Sequence, residues 1–132
     1  MSAQERGIES VNVPTLQPPR GHYSHGVCAG GFVFVSGQLP ITPEGERLVG
    51  APFAVQAKQA LDNVAAILAA CGTRIDRLVQ VRVYIANVDD WGPFNEVYAA
   101  WAGDAKPARA VVPVPALSHG VAVEIEAMAL AG

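Results

Sequence analysis

The spacing of apolar residues changes several times along this chain between the period of a helix and that of a strand. The order of these periods constrains the fold more than any other feature of the sequence. Residues Phe53 to Cys71 repeat apolar side chains at steps of three or four, which is the spacing of an amphipathic helix. Gly72 follows where a left-handed helix C-cap belongs. The next segment, Leu78 to Val88, alternates instead, with every second residue from Val79 to Ile85 apolar on one face. This second pattern predicts a half-buried strand.

A second helix is predicted from about Trp91 to Trp101, with Asp89 or Asp90 as its N-cap and Gly103 at its end. Before the first helix, Gly30-Gly31 separates two short apolar runs, which is a hairpin signal. Two more strands are predicted near the chain end, Ala108–Val114 and Val121–Leu130, and a turn containing Ser118-His119-Gly120 lies between them. Gly7 to Val13 is a weaker strand candidate.

The resulting order, two or three strands, helix, strand, helix and two strands, predicts an α+β fold. Its two helices would cover one face of a sheet. A length of 132 residues predicts one domain, residues 1–132. Hydrophobic residues make up 51% of the chain and charged residues only 16%, so we expect a second copy of the chain to cover the other sheet face.

Charge and composition disfavour several classes of function. The net charge is −3 and no cluster of Lys and Arg occurs, which argues against nucleic acid as the main partner. No apolar run approaches the roughly 20 residues that span a bilayer. The polar N-terminus lacks a signal-peptide pattern, and Cys28 and Cys71 are too few and too far apart in sequence to indicate a disulfide framework. We therefore expect a cytoplasmic protein without a membrane partner.

Three charged residues interrupt the apolar strand patterns near the C-terminus. Arg109 has only apolar neighbours, and Glu124 and Glu126 share one face of the last predicted strand. If the last two strands form a hairpin turning near Ala116-Leu117, Arg109 lies opposite Glu124. An arginine can bind a carboxylate bidentately while a glutamate handles a water or a proton, which indicates a site for a small carboxylic acid. The alternatives are a surface ion pair for the arginine and solvated strand positions for the glutamates.

Other candidate sites are weaker. The pair His22-x-x-His25 has metal-ligand residue types but no third ligand nearby, so no metal is predicted. The sequence also has no Gly-rich phosphate loop, no Cys-x-x-Cys pair and no His-Glu-x-x-His helix. Asn95 lies among apolar and aromatic residues of the second helix, where an ordinary surface amide is the alternative.

Five blocks together closely resemble the Rid family, also called the YjgF family. The resemblance runs in order from about Gly21 to Leu130, nearly the whole chain. The blocks are Gly21-x-Tyr23-Ser24, Phe34-Val35-Ser36-Gly37-Gln38-Leu39-Pro40, Asn95-Glu96-Val97-Tyr98, Pro107-Ala108-Arg109 and Val123-Glu124-Ile125-Glu126-Ala127.

The resemblance implies a chorismate-mutase-like fold in a homotrimer whose sheets face an inner barrel, with sites between subunits. It also implies hydrolysis of reactive 2-imino acids to 2-keto acids and ammonia, without a metal or organic cofactor. By the same resemblance, Arg109 binds the substrate carboxylate and Glu124 places or activates the water. The pocket-lining positions that it implies are Tyr23, Ser36, Gly37, Asn95 and Val111.

Several positions depart from the family pattern. Val111 stands where the best-known members often carry cysteine, His22 and His25 differ from the usual Gly-Pro-Tyr-Ser-Gln, and Pro113 to His119 replaces a charged Leu-Pro-Lys segment. These changes bear on substrate range more than on reaction class. Two alternatives remain: a trimer that binds small carboxylic acids without turnover, and an endoribonuclease or translation inhibitor, which the net charge disfavours.

Overall fold

The computed structural model describes Ser2 and residues 6–132. Three strands, a helix, a strand, a helix and two strands follow one another, as the succession of periods predicts. The elements are β1 (Ile8–Val11), β2 (Gly26–Ala29), β3 (Phe32–Gln38), α1 (Phe53–Ala70), β4 (Leu78–Ile85), α2 (Trp91–Ala102), β5 (Ala108–Pro113) and β6 (Val123–Leu130). Single 3-10 turns occupy Ile75–Arg77, Val88–Asp90 and Ser118–Gly120.

The six strands form one mixed sheet in the order β1-β2-β3-β6-β4-β5. Only β4 and β5 are parallel neighbours, and the other pairs are antiparallel. The chain passes from β3 through α1 to β4, and from β4 through α2 to β5. Right-handed crossovers of this kind place both helices on one face, where they bury the core. Its largest fully buried side chains include Leu61, Ile67, Leu68, Ile85, Phe94 and Ile125.

The predicted hairpin between the last two strands is wrong. β5 pairs in parallel with β4, and β6 lies between β3 and β4, so Arg109 lies beside Val81 and not opposite Glu124. The helix α2 causes this difference, because it carries the chain back to the start of β4 before β5 begins. β6 then takes an interior position of the sheet, which suits its buried, apolar alternate residues.

One local expectation is also wrong, and a second is confirmed only in part. Val79 is 38% exposed because a register shift between Leu78 and Gln80 interrupts the alternation on β4. Asp90 occupies the N-cap position of α2, as predicted, but its side chain makes no capping hydrogen bond. Instead, the Asn87 side chain accepts a hydrogen bond from the Asp89 amide and begins a 3-10 turn that runs into α2.

The glycine signals are confirmed. Gly30 and Gly31 have φ of 60° and 84°, the left-handed values that a tight hairpin requires. Gly72 ends α1 with φ of 78°, and Gly103 ends α2 with φ of 61°.

The sheet face opposite the helices is open in a single chain. It exposes the apolar side chains of Phe34, Val112 and Leu130, which are 40%, 40% and 39% exposed. A sheet face that stays in contact with water normally carries polar side chains, with the apolar ones directed to the core. The expectation that a second copy covers this face therefore remains a prediction. No helix in the part of the chain that the structure describes is long and apolar enough to cross a membrane.

Candidate active site

The larger of two relevant cavities opens where β3 ends and β6 begins, beside the loop that precedes β2. Its volume is about 630 Å³. Four of the residues implied by the family resemblance lie together in its lining: Tyr23, Ser36, Gly37 and Glu124. Other residues that contribute to the wall are Arg20, His25, Gln38, Asn63, His119 and Glu126.

A β-bulge directs Ser36 and Gly37 to this cavity. Val35 pairs with Ala127 and Gln38 with Ile125, so β3 carries one extra residue between these two pairs. The bulge is held by two bonds of Ser36. Its Oγ donates to the Ser24 carbonyl oxygen at 2.6 Å, and its amide donates to the His25 carbonyl oxygen at 2.9 Å.

Gly37 leaves room for the carboxylate of Glu124. A Cβ atom at position 37 would lie 3.2 Å from Glu124 Cδ and 3.4 Å from Cγ, with Oε2 nearer still. Any larger residue would therefore push against the carboxylate. A glycine suits this position because of the close approach of Glu124 and not because of an unusual φ, since its φ lies outside the left-handed region.

The two glutamates of β6 have different surroundings, although both project from the open face of the sheet. Glu126 Oε1 accepts a hydrogen bond from Tyr84 Oη at 2.7 Å and lies 3.6 Å from Arg82 Nη1. Glu124 has no hydrogen bond or ion pair among residues 6–132 or to Ser2. Burial raises the pKa of Glu124, and the charge of Glu126 raises it further. Glu124 is therefore the carboxylate that is free to handle a proton.

Arg109 projects from the helix-covered face of the sheet and is held by α2. Its Nη1 donates to Asn95 Oδ1 at 2.9 Å. Its Cζ lies 4.9 Å from the centroid of the Tyr98 ring and 5.5 Å from that of Trp91, which are cation–π distances. No carboxylate within the described part of the chain pairs with this guanidinium, so its charge is available for an anion.

Arg109 and Asn95 line a second cavity of about 420 Å³, beside Tyr98 and Lys106. The Tyr98 hydroxyl is buried there without a hydrogen-bond partner among the described residues. Val111 lines neither cavity and instead packs, partly buried, against the core. The predicted residues therefore fall into two groups, one around Glu124 and one around Arg109, on opposite faces of the sheet.

His25 is a structural residue of the loop that carries Tyr23. It is 5% exposed. Its Nδ1 accepts from the Val13 amide at 2.9 Å, so the proton is on Nε2, which donates to the Gln17 carbonyl oxygen at 2.9 Å. With both ring nitrogens bonded to backbone, His25 has no lone pair for a metal, and His22 is exposed to solvent. No cluster of three or more potential ligands occurs among the described residues.

The sequence carries signals for several contacts of the candidate site residues that the predictions did not include. Trp91, Asn95 and Tyr98 recur at steps of four and three, which places them on one face of α2. Arg82 and Tyr84 alternate on the polar face of β4, the face that Glu126 shares. A glycine inside a strand pattern, such as Gly37, commonly marks a bulge.

These features define a class of proteins in which one mixed sheet carries two helices and presents a guanidinium and a carboxylate on its opposite faces. The chain belongs to the endoribonuclease L-PSP family, also called the YjgF or Rid family, whose model matches residues 15–131. The fold is the YjgF, chorismate-mutase-like fold that the resemblance implied.

Individual relatives agree with this assignment. A RutC family protein of Pyrococcus horikoshii is 41% identical over 121 residues, covering 92% of this chain and 96% of the relative. A 2-iminobutanoate/2-iminopropanoate deaminase of Rattus norvegicus is 39% identical over 112 residues, 85% of this chain and 82% of the enzyme. The solved structure of E. coli TdcF with bound serine superposes with a TM-score of 0.87 at 33% identity, covering 94% and 99% of the two chains.

Proposed function

We propose that this chain hydrolyses reactive 2-imino acids to 2-keto acids and ammonia, at sites that Arg109 of one subunit and Glu124 of another form together in a homotrimer. The observation that supports this most is the separation of the two groups. Arg109 shares a sheet face with Val81, whereas Glu124 shares the opposite face with Tyr84. One subunit alone cannot bring both to one substrate, but two copies can.

Arg109 is suited to bind the substrate carboxylate. Asn95 tethers Nη1, and the rings of Trp91 and Tyr98 restrict the plane of the guanidinium. A donor fork that is already oriented loses little rotational freedom when it binds a planar carboxylate bidentately. The electrophilic C=N carbon of an imino acid is bonded directly to that carboxylate, so the clamp also fixes the reacting carbon.

Glu124 is suited to move the protons. As the water oxygen attacks the C=N carbon of the protonated imine, the carboxylate takes a proton from the water and a neutral carbinolamine forms. The carboxylic acid so formed then protonates the amine nitrogen. Ammonia leaves with the carbon–nitrogen electron pair as the carbon–oxygen double bond forms, and the hydroxyl proton returns to the carboxylate, which passes it to the ammonia. A raised pKa brings the carboxyl closer to neutral pH, where one group exchanges protons efficiently in both directions. Gly37 lets this carboxylate stand close to the bulge of β3.

A binding protein without turnover is the second candidate, and the relative solved with bound serine favours it. Such a protein needs the arginine clamp but gains nothing from a partly buried carboxylate, whose desolvation is costly. The unpaired state of Glu124 therefore supports the enzyme. The family's name refers to an endoribonuclease, but a net charge of −3 gives little attraction for RNA.

The test is the decay of 2-iminopropanoate or 2-iminobutanoate, generated in situ, with and without the protein. We expect the wild type to accelerate the decay and Arg109→Ala to lose at least tenfold of that acceleration. Arg74→Ala is the matched control and should retain full activity, because Arg74 pairs with Asp76 at the exposed surface, outside both cavities. If the wild type binds 2-ketobutyrate in calorimetry yet leaves the imine decay unchanged, the binding protein is the correct account.

A further inference from the structure

The two cysteines of this chain, distant in sequence, meet in the fold. Cys28 lies on β2, near the edge of the sheet, and Cys71 is the C-cap residue of α1. Their side chains are near neighbours, because Cys71 Sγ lies against Gly26, two residues before Cys28 on β2. Both thiols are free and both residues are partly exposed. Neither lines the cavity that contains Glu124 or the one that contains Arg109.

The packing of α1 against β2 keeps these thiols together. Gly26 precedes Cys28 by two residues, so the two positions share a strand face. A Cβ atom at Gly26 would lie 3.2 Å from Cys71 Sγ and 3.0 Å from Ile67 Cγ2. The end of the helix is therefore seated closely on this part of β2. Cys28 and Cys71 also pack against the same hydrophobic core, which restricts both side chains.

We propose that Cys28 and Cys71 are a redox modification site. Oxidation by a low-molecular-weight disulfide, such as oxidised glutathione, joins them in a reversible intramolecular disulfide. The Cys28 thiolate attacks the small disulfide, which forms a mixed disulfide and releases one small thiol. The Cys71 thiolate then attacks the Cys28 sulfur, which closes the protein disulfide and releases the second small thiol. Two protein thiols are oxidised and one small disulfide is reduced.

The order of the two attacks follows from the surroundings of Cys71. Burial raises the pKa of Cys71 to about 12, and Cys28 and Glu9 contribute to the increase. Cys71 therefore keeps its proton at neutral pH and is the slower nucleophile towards a dissolved oxidant. Once Cys28 carries the mixed disulfide, the second attack is intramolecular and benefits from the proximity of the two side chains. Closure should accelerate as the pH is raised above neutrality.

The test is mass spectrometry of the intact protein after incubation with oxidised glutathione at pH 8.5, acid quenching, denaturation and alkylation. We expect the wild type to become lighter by about 2 Da with both cysteines protected from alkylation. Trypsin should then release peptides 21–47 and 59–74 joined to each other, and dithiothreitol should separate them. The oxidised protein should melt at least about 4 °C higher, because the disulfide constrains the unfolded chain.

Cys71→Ser and Cys28→Ser are the matched controls. Cys71→Ser should stop at the mixed disulfide, with one glutathione retained on Cys28, and Cys28→Ser should react far more slowly. The proposal is overturned if wild-type cysteines both remain open to alkylation, if each holds its own glutathione, or if only covalent dimers form. These readouts involve no imine, so they stand or fall independently of the deaminase activity.

Discussion

Replacing Gly37 by alanine should displace the Glu124 carboxylate without otherwise disturbing the fold. The added methyl group would lie 3.2 Å from Glu124 Cδ, and Oε2 would be closer. To regain ordinary van der Waals contact, the carboxylate has to retreat by about 1 Å. A misplacement of this size at a catalytic group costs about 100-fold in rate, or roughly 2.7 kcal/mol of transition-state stabilisation.

The assay is the decay of in situ generated 2-iminobutanoate, measured as kcat and KM. The loss should fall mainly on kcat, because Arg109 still binds the carboxylate. Gly92→Ala is the matched control, since a Cβ atom there meets no atom within 4 Å. It should keep the wild-type rate, because position 92 lies on α2 and lines neither the Glu124 cavity nor the Arg109 cavity. A Gly37→Ala protein that folds and retains the wild-type kcat would refute the role given to Glu124.

Further predictions concern the neighbours of the two charged groups. Arg109→Lys should lose at least tenfold in kcat/KM, because an ammonium lacks the bidentate fork; a rate like the wild type's would exclude the clamp. Tyr98→Leu should raise KM by removing the ring beside the guanidinium, whereas Tyr98→Phe, which keeps the ring, should bind substrate like the wild type. Glu126→Gln should lower the pKa of Glu124 by removing a negative charge, and the acid limb of the kcat/KM profile should therefore move to lower pH. Carbon-13 NMR titration of the Glu124 carboxyl checks the same shift without turnover, and an unchanged midpoint would contradict it.

The alternating and helical periods predicted the elements well, because burial of one face imposes those periods directly. The helix that begins at Phe53 is confirmed, as are the turns at Gly30, Gly72 and Gly103. Strand pairing was not predictable in the same way. Whether β6 joins β5 or enters between β3 and β4 depends on the crossovers through both helices, which local patterns do not encode.

The candidate site was likewise predictable only in part from local sequence patterns. Periodicity placed Glu124 and Glu126 on one face but could not distinguish them, because the difference arises from Tyr84 and Arg82 on a neighbouring strand. The resemblance to a family selected Glu124, and the contacts of Glu126 give that selection a physical reason. The position of Arg109 on the other face depends on its parallel register with β4, which no spacing within its own strand indicates.

Mixing two inactive variants tests whether each site joins Arg109 of one subunit to Glu124 of another. Arg109→Ala and Glu124→Gln proteins are unfolded together in equal amounts, refolded, and compared with each variant refolded alone. In random mixed trimers, about one quarter of the sites combine an intact arginine with an intact glutamate. We expect recovery of about one quarter of the wild-type imine hydrolysis. Mixed trimers that form, as mass spectrometry can verify, and yet remain as inactive as the separate variants would contradict it.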